Sequence, residues 1–172
     1  MSHQGQINRI KCILIGPSGV GKTSIINKYL YNNYETFSIT IGCDFYINSL
    51  VLNNIEYKLH IWDTAGNIKY NNMASVIKSV NKILIVLDYI NRNNDILINN
   101  YMNIALNYTT KDNIILVFNK TPTTAVELDT NTTGVIFCNS KYNINIDKIF
   151  LEVLHIEQKP VQHIPKNKCA IL

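Results

Sequence analysis

The chain is poor in the features that mark specialised classes of protein. Only 7 of its 172 residues are glycine and 4 are proline, which excludes a collagen-like chain and a Pro/Gly-rich disordered one. Charged residues make up 16% of the chain, and a net charge of +4 is too small to indicate nucleic-acid binding, so we expect no nucleic-acid partner. No apolar run is longer than residues 83–87, far below the roughly 20 residues that cross a bilayer.

Cysteine is also scarce, and its placement indicates a reducing environment. The four cysteines lack the close spacing of metal ligands. The first residues are polar and contain no apolar stretch of a signal peptide, so we expect a cytoplasmic protein. Cys12, Cys43 and Cys138 lie in strand-like runs and are interpreted as small buried side chains, whereas Cys169 lies in the last four residues.

What the chain has in excess is asparagine, with 25 residues, and isoleucine, with 28. Asparagine is unfavourable in helix interiors and in strands, so this excess opposes local structural propensity. A coding bias towards AT-rich codons explains it better than a prion-like tract, because the asparagines are scattered among apolar residues.

Short apolar runs rich in β-branched residues alternate with longer segments of helical periodicity. This alternation predicts an α/β fold: a single domain with a six-stranded, mostly parallel sheet and helices on both faces. Asn53 and Asn54 suit a tight hairpin joining one antiparallel pair, since asparagine tolerates positive φ. The predicted strands are 9–15, 44–52, 55–62, 83–88, 114–119 and 135–138, and the predicted helices are 22–30, 96–106 and 146–156.

Residues 16–23 read Gly-Pro-Ser-Gly-Val-Gly-Lys-Thr, which matches the phosphate-binding pattern G-x-x-x-x-G-K-[ST] between a predicted strand and a predicted helix. Glycines in this pattern let backbone N–H groups surround phosphate oxygens at a helix N-terminus. Lys22 is expected to reach the β- and γ-phosphates and to act in catalysis. The alternative is a glycine-rich turn with a solvated lysine. The expected binding residues are Gly16, Ser18, Gly19, Val20, Gly21, Lys22, Thr23 and Ser24.

Further motifs follow the phosphate-binding pattern in a set order. They are Phe-Ser-Ile-Thr-Ile-Gly-Cys-Asp-Phe at 37–45, Trp-Asp-Thr-Ala-Gly at 62–66, Asn-Lys at 119–120 and Ser-Lys at 140–141. Together these motifs resemble the Ras superfamily, and its Rab branch in particular, over about residues 8 to 155. The resemblance implies a monomeric P-loop GTPase domain that binds GTP or GDP with Mg²⁺ and that orders or releases two switch segments.

The resemblance also implies roles for individual residues. Thr23, Thr40 and Asp63 would hold Mg²⁺, and the backbone N–H of Gly66 would contact the γ-phosphate during catalysis. Nucleotide contacts are further expected from Tyr34, Phe37, Thr40, Asn119, Lys120, Ser140 and Lys141. The effector and switch surface would comprise Ile41, Gly42, Phe45, Trp62 and Tyr70. Two alternatives stay open: Tyr34 as an exposed loop aromatic, and Phe45 with Trp62 as ordinary sheet-surface packing.

Asn67 departs from the family pattern, which has Gln after Trp-Asp-Thr-Ala-Gly. In Ras that Gln orients the attacking water, and Asn carries the same amide on a stem one methylene shorter. A displacement of roughly 1 Å in a positioning group lowers a rate by about 10²-fold, so we expect Asn67 to act in a slow hydrolysis. The alternative is coding drift, with a partner protein supplying catalysis.

Pro122 is a second departure, since the family has there an Asp that accepts two hydrogen bonds from guanine. Proline offers neither a side-chain acceptor nor a backbone donor, so guanine affinity and discrimination against adenine are expected to weaken. Weak substitutes would be Thr121, Thr123 and Thr124. Ser140 follows Asn119 by only 21 positions, so we expect the helix before the last strand to be shortened or missing.

The last four residues, Cys-Ala-Ile-Leu from Cys169, form a C-a-a-X motif ending in leucine, which predicts geranylgeranylation. We expect residues 159–172, with three lysines and no acid, to be a flexible tail behind a GTPase domain of residues 1–158. One lipid with a few lysines gives reversible anchoring to the cytosolic face of a membrane. The alternative for Cys169 is a buried or free thiol.

These features predict a Rab-like small GTPase that acts as a membrane-anchored switch in vesicle trafficking. Its partners would be effectors, exchange factors and GTPase-activating proteins. A second interpretation is a nucleotide-binding Rab mimic, or decoy, with negligible turnover, motivated by Asn67 and Pro122. A third is a P-loop protein that prefers ATP.

Overall fold

The computed structural model describes residues 7–34, 40–66, 77, 79–123 and 134–154. The strands in these ranges are β1 Asn8–Ile15, β2 Cys43–Leu52, β3 Ile55–Thr64, β4 Lys82–Asp88, β5 Ile114–Asn119 and β6 Val135–Phe137. The helices are α1 Lys22–Tyr31, α2 Asn94–Leu106 and α3 Ile146–Val153. No helix in the described part of the chain is long and apolar enough to cross a membrane.

The six strands form one sheet in the order β2-β3-β1-β4-β5-β6. Every neighbouring pair is parallel except β2 and β3, which form an antiparallel hairpin. Asn53 and Asn54 make its two-residue turn, with φ values of 51° and 63°. Two consecutive positive φ values match the twist of the flanking strands, which is why this turn closes the hairpin. The predicted α/β fold and its hairpin are confirmed.

Alternate residues of the central strands lie on opposite faces of the sheet, and each face is covered by helices. Cys12 and Leu14 of β1 belong to one buried cluster with α1 and α3, whereas Ile13 and Ile15 belong to another with α2. Strands buried on both faces account for the continuous apolar runs of the sequence. The prediction of helices on both faces is confirmed.

The helices α1 and α3 share one face of the sheet and contact each other directly. The rings of Tyr29 and Phe150 stack with their centroids 3.8 Å apart. Asn48 on β2 donates a hydrogen bond to the Tyr29 hydroxyl at 3.1 Å, so this buried phenol keeps a polar partner. Because α1 follows β1 directly after the glycine loop, its start lies at the carboxyl ends of the parallel strands, where ligands bind in open α/β sheets.

Some element boundaries differ from the predicted ones. β3 continues two residues past its predicted end, because Asp63 still pairs with Leu14 of β1 and Thr64 with Cys43 of β2. Cys43 is only partly buried, which corrects the expectation for that thiol. Helix α3 ends at Val153, before the predicted end at 156. The predictions for the helix before β6 and for the tail 159–172 fall largely or wholly outside the described residues.

Part of the asparagine excess has a structural use. Within the described ranges, five asparagines adopt positive φ, a backbone conformation that glycine most often supplies. They are Asn32, Asn53, Asn54, Asn143 and Asn145. Asn32 ends α1 in this conformation, and its backbone N–H donates to the Lys28 carbonyl. In a chain with few glycines, asparagine therefore serves as a turn residue.

Candidate functional site

The loop from β1 to α1 can be built only with glycine at certain positions. Gly16, Gly19 and Gly21 have φ values of 145°, 78° and 93°. A side chain at Gly16 would also overlap the Val86 carbonyl, and one at Gly21 would overlap the Asn119 amide. The loop is thus fixed by backbone conformation and by close approach to β4 and β5. Ser18 and Gly19 are exposed at its crest, and Val20 is buried beneath them.

Lys22 is buried at the start of α1, with 6% of its surface exposed. Its Nζ donates to the carbonyls of Gly16 and Pro17 at 2.9 and 2.8 Å, so the ammonium closes back over the loop. Burial lowers its pKa to about 8, and the negative charge of Asp63 opposes that shift. The alternative of a solvated lysine is therefore wrong.

Thr23, Thr40 and Asp63 come together from three separate segments. The Thr23 hydroxyl donates to Asp63 Oδ2 at 2.5 Å, and the hydroxyl oxygens of Thr23 and Thr40 lie 3.0 Å apart. Asp63 is fully buried, which raises its pKa, while hydrogen bonding from Thr23 and the charge of Lys22 oppose that shift. These are the three residues that the sequence predicts to hold a metal ion.

Asp63 also carries a polar atom that lacks a partner. Its Oδ1 is buried and makes no hydrogen bond to any described residue. A buried carboxylate oxygen without a partner is unfavourable, and a cation would satisfy it. One carboxylate with two hydroxyls is a small set of hard oxygen donors, the kind that Mg²⁺ accepts because it keeps most of its waters. The donor set therefore fits the predicted metal.

Gly66 lies against the glycine loop. A side chain at this position would overlap the backbone of Pro17 and Ser18. One residue earlier, the Ala65 N–H donates to the Gly42 carbonyl at 2.9 Å. This bond joins the segment after β3 to the segment that carries Thr40, so the described parts of both predicted switches meet beside the glycine loop.

Asn119, at the end of β5, is an internal cross-link between two loops of the site. Its Nδ2 donates to the Val20 carbonyl at 2.9 Å and to Ser140 Oγ at 3.2 Å, and its Oδ1 accepts the Ser140 N–H at 3.0 Å. The side chain is 1% exposed. The Ser140 N–H, which is expected to face the base, is therefore already bound within the protein.

The other residues of the predicted base loop fall into two groups. Lys120 pairs with Asp88 at 2.6 Å on the surface, and Lys141 is exposed, with its Nζ 5.3 Å from the Tyr142 ring centroid. Thr121 is fully buried, and its hydroxyl donates to the Phe118 carbonyl at 2.9 Å. The prediction that Thr121 substitutes for the missing Asp is therefore wrong. Pro122 and Thr123 are exposed.

The predicted effector surface lies at the β2–β3 edge of the sheet. Ile41 is 93% exposed and Phe45 is 43% exposed, with the Phe45 ring centroid 4.7 Å from that of Trp62. These aromatics pack on each other and remain partly open, so both interpretations made from the sequence stay possible. Tyr34 is 40% exposed. Phe37, Asn67, Tyr70, Thr124 and Cys169 lie outside the described residues.

Sequence reasoning missed Asn139 as an organiser of the site. Its Oδ1 accepts the backbone N–H groups of Lys141 and Tyr142, and its Nδ2 donates to the Thr121 carbonyl at 2.9 Å. This side chain ties the loop after β6 to the loop after β5. An asparagine followed by a turn is the usual signal for such bonding, but 25 asparagines hide it.

Comparison with known proteins agrees with this geometry. Residues 11–159 match the model of the Ras family. The human Ras-related protein Rab-12 is 30% identical over 160 residues, which cover 85% of this chain and 66% of that protein. Ras-related protein RABE1d of Arabidopsis thaliana is 32% identical over 158 residues, covering 84% of this chain and 73% of that protein. The chain thus spans slightly less than two thirds of the length of Rab-12. The chain belongs to the Ras family and is similar to its Rab members.

Proposed function

We propose that the chain binds GTP and GDP with Mg²⁺ and hydrolyses GTP slowly, as a Rab-like switch. The observation that supports this most is the meeting of Lys22, Thr23, Thr40 and Asp63 beside a glycine loop, with one carboxylate oxygen buried and unpaired. Nothing in the packing of the sheet requires these four side chains together. A nucleotide-binding decoy with negligible turnover would also use these four residues, so they support nucleotide binding and the hydrolysis assay at Asn67 tests turnover.

The proposed chemistry follows from the charges at the loop. Triphosphate oxygens would take the Lys22 ammonium in exchange for the carbonyls it now contacts, and a bound anion would favour its charged form. Thr23, Thr40 and Asp63 would hold Mg²⁺, which supplies charge neutralisation to the phosphates when bound. Water is the attacking nucleophile, and Gly66 would offer its N–H to the γ-phosphate.

Switching would depend on Thr40, because this residue lies outside the strands and reaches the site through its side chain. Thr40 meets the Thr23 hydroxyl, and the next segment is held by the bond from Ala65 to Gly42. A γ-phosphate would stabilise this arrangement, and its loss would release it. Effectors would then meet a different surface in each of the two states. The residues of this surface would be Ile41, Gly42, Phe45, Trp62 and Tyr70.

Nucleotide titration tests the proposal. Nucleotide-free protein is titrated with GDP and with a non-hydrolysable GTP analogue, each with and without Mg²⁺, by calorimetry. We expect one site per chain and tighter binding with Mg²⁺. Binding that is absent, or that Mg²⁺ does not strengthen, would contradict the proposal.

The slow hydrolysis is tested at Asn67. Lengthening this side chain in Asn67→Gln is expected to raise the single-turnover rate by up to about 10²-fold, because the amide then reaches the attacking water. Asn103→Gln, an exposed position on α2, is the matched control and should leave the rate unchanged. An Asn67→Gln rate equal to the wild-type rate would reject this role for Asn67.

Membrane attachment is proposed through a geranylgeranyl group on Cys169. The supporting features are the C-a-a-X sequence and the three lysines of residues 159–172. Incubation with geranylgeranyl diphosphate and a prenylating extract should add one lipid to the wild type and none to Cys169→Ser. Cys43→Ser, which changes a half-buried thiol, should be modified like the wild type. Modification of Cys169→Ser would disprove the assignment.

A further inference from the structure

The amide oxygens of the base-facing loops already accept hydrogen bonds within the protein. Asn119 Oδ1 accepts the Ser140 N–H, and Asn139 Oδ1 accepts the N–H groups of Lys141 and Tyr142. The hydroxyl of Thr121 is buried and donates to the Phe118 carbonyl. Within the described parts of these loops, the two amide oxygens thus already accept protein donors, and the Thr121 hydroxyl is closed off by its full burial.

Asp88, the carboxylate beside Asn119 in the sheet, also has protein donors at both oxygens. Asp88 ends β4 directly beside Asn119 in the register of β5. One of its oxygens pairs with the Lys120 ammonium at 2.6 Å, and the other accepts the Ile90 N–H at 3.2 Å. A base that donated to either oxygen would have to share it with a cation or a backbone donor, which leaves a weaker acceptor.

Pro122 follows directly and adds no acceptor through its side chain. The ring is exposed, and proline also lacks a backbone N–H. Guanine presents two kinds of donor at this edge, the ring N1–H and the 2-amino group, and hypoxanthine presents only the first. To tell the two bases apart, a site needs an acceptor for the 2-amino group, because a site that hydrogen-bonds a group of its ligand rejects the analogue that lacks this group.

We propose that the base site does not read the 2-amino group, so that Pro122 makes the chain accept inosine and guanosine nucleotides alike. This inference rests on the proposed nucleotide binding at the same site. Adenine differs more strongly, because it has an amino donor where guanine and hypoxanthine have an acceptor oxygen. The Ser140 hydroxyl accepts from Asn119 and keeps its own hydrogen to donate, so the loop still favours the two oxo-purines over adenine.

The experiment compares the affinities of GDP, IDP and ADP for the full chain with Mg²⁺, by competition against a fluorescent GDP. For the wild type we expect GDP and IDP to agree within about threefold. In Pro122→Asp the new carboxylate should favour GDP over IDP by about tenfold or more, the effect of one charged hydrogen bond. Asn103→Asp places the same charge at an exposed position of α2, outside the base loops, and should keep the wild-type ratio.

The outcomes separate this inference from the proposed function. A wild-type preference for GDP over IDP of tenfold or more overturns the inference and leaves guanine binding intact. A Pro122→Asp ratio equal to that of Asn103→Asp also overturns the role of Pro122, provided that thermal unfolding shows both variants folded. Tighter binding of ADP contradicts the proposed function, and loss of binding to all three nucleotides contradicts both.

Discussion

The two ends of the proposed nucleotide site differ in how their polar groups are used. At the phosphate end, Lys22, Thr23, Thr40 and Asp63 converge, and one Asp63 oxygen is buried without a partner among the described residues. At the base end, the side chain of Asn119 is fully engaged by protein partners. Binding energy is thus expected mainly from the phosphates and the metal, and little discrimination between guanine and hypoxanthine from the other end.

The largest effect is expected at the phosphate end, from Lys22→Met. The methionine keeps the aliphatic stem and removes the ammonium, so nucleotide affinity should fall by about 10²-fold or more, as for the loss of two charged contacts. Lys28→Met, on the same helix, is the control and should bind as the wild type does. The measurement is a GDP titration with Mg²⁺. Wild-type affinity in Lys22→Met would show that the buried ammonium is not the phosphate ligand.

Asp63→Asn isolates the metal contribution to the same end. It keeps the shape of the side chain and removes its charge, so the gain in affinity on adding Mg²⁺ should shrink by about tenfold. The control is Asp44→Asn, because Asp44 pairs with Asp63 in the β2–β3 ladder but is exposed. Titrations of GDP with and without Mg²⁺ give the ratio directly. If both variants lost the same part of the Mg²⁺-dependent gain in affinity, the Asp63 charge would act only by long-range electrostatics and not by contact with the metal.

Asn119→Ala tests whether the base end is mainly structural. Its removal leaves the Val20 carbonyl and the Ser140 N–H without their partner, which should lower the free energy of unfolding by about 2 kcal/mol or more. Asn113→Ala removes only an exposed hydrogen bond of 3.3 Å to Thr110 and should change the free energy of unfolding little. Urea denaturation of the two variants decides. If Asn119→Ala lost nucleotide affinity without losing stability, the cross-link would be secondary to base binding.

The smallest effect is expected away from both ends, at His60 on β3. Burial and the charges of Lys58, Arg9 and Lys11 lower its pKa below the ordinary 6.5. Between the lowered pKa and 6.5 the unfolded chain binds more protons, so this group makes stability fall as the pH decreases through that window. His60→Gln should flatten the decline in unfolding free energy between pH 7 and pH 5. Parallel declines in the two proteins would rule out this contribution.

The sequence was sufficient for those features that depend on local pattern. The order of strands and helices, the Asn53-Asn54 turn and the glycine loop follow from periodicity and backbone preference, and all are present. Tertiary pairs were not predictable, because they join segments far apart in the chain. The bonds from Asn119 to Val20 and from Lys120 to Asp88 span 99 and 32 positions. The end of β3 was placed too early for the same reason, since its last residues are held by neighbouring strands.

The nucleotide that the protein carries through purification tests the central proposal most directly. Protein purified with Mg²⁺ is denatured, and the released nucleotide is identified and counted by ion-exchange chromatography with mass spectrometry. We predict close to one guanine nucleotide per chain, mostly GDP with some GTP, and none from Lys22→Met. A stoichiometric adenine nucleotide, or nucleotide-free wild-type protein that also fails to bind added GDP, would contradict it.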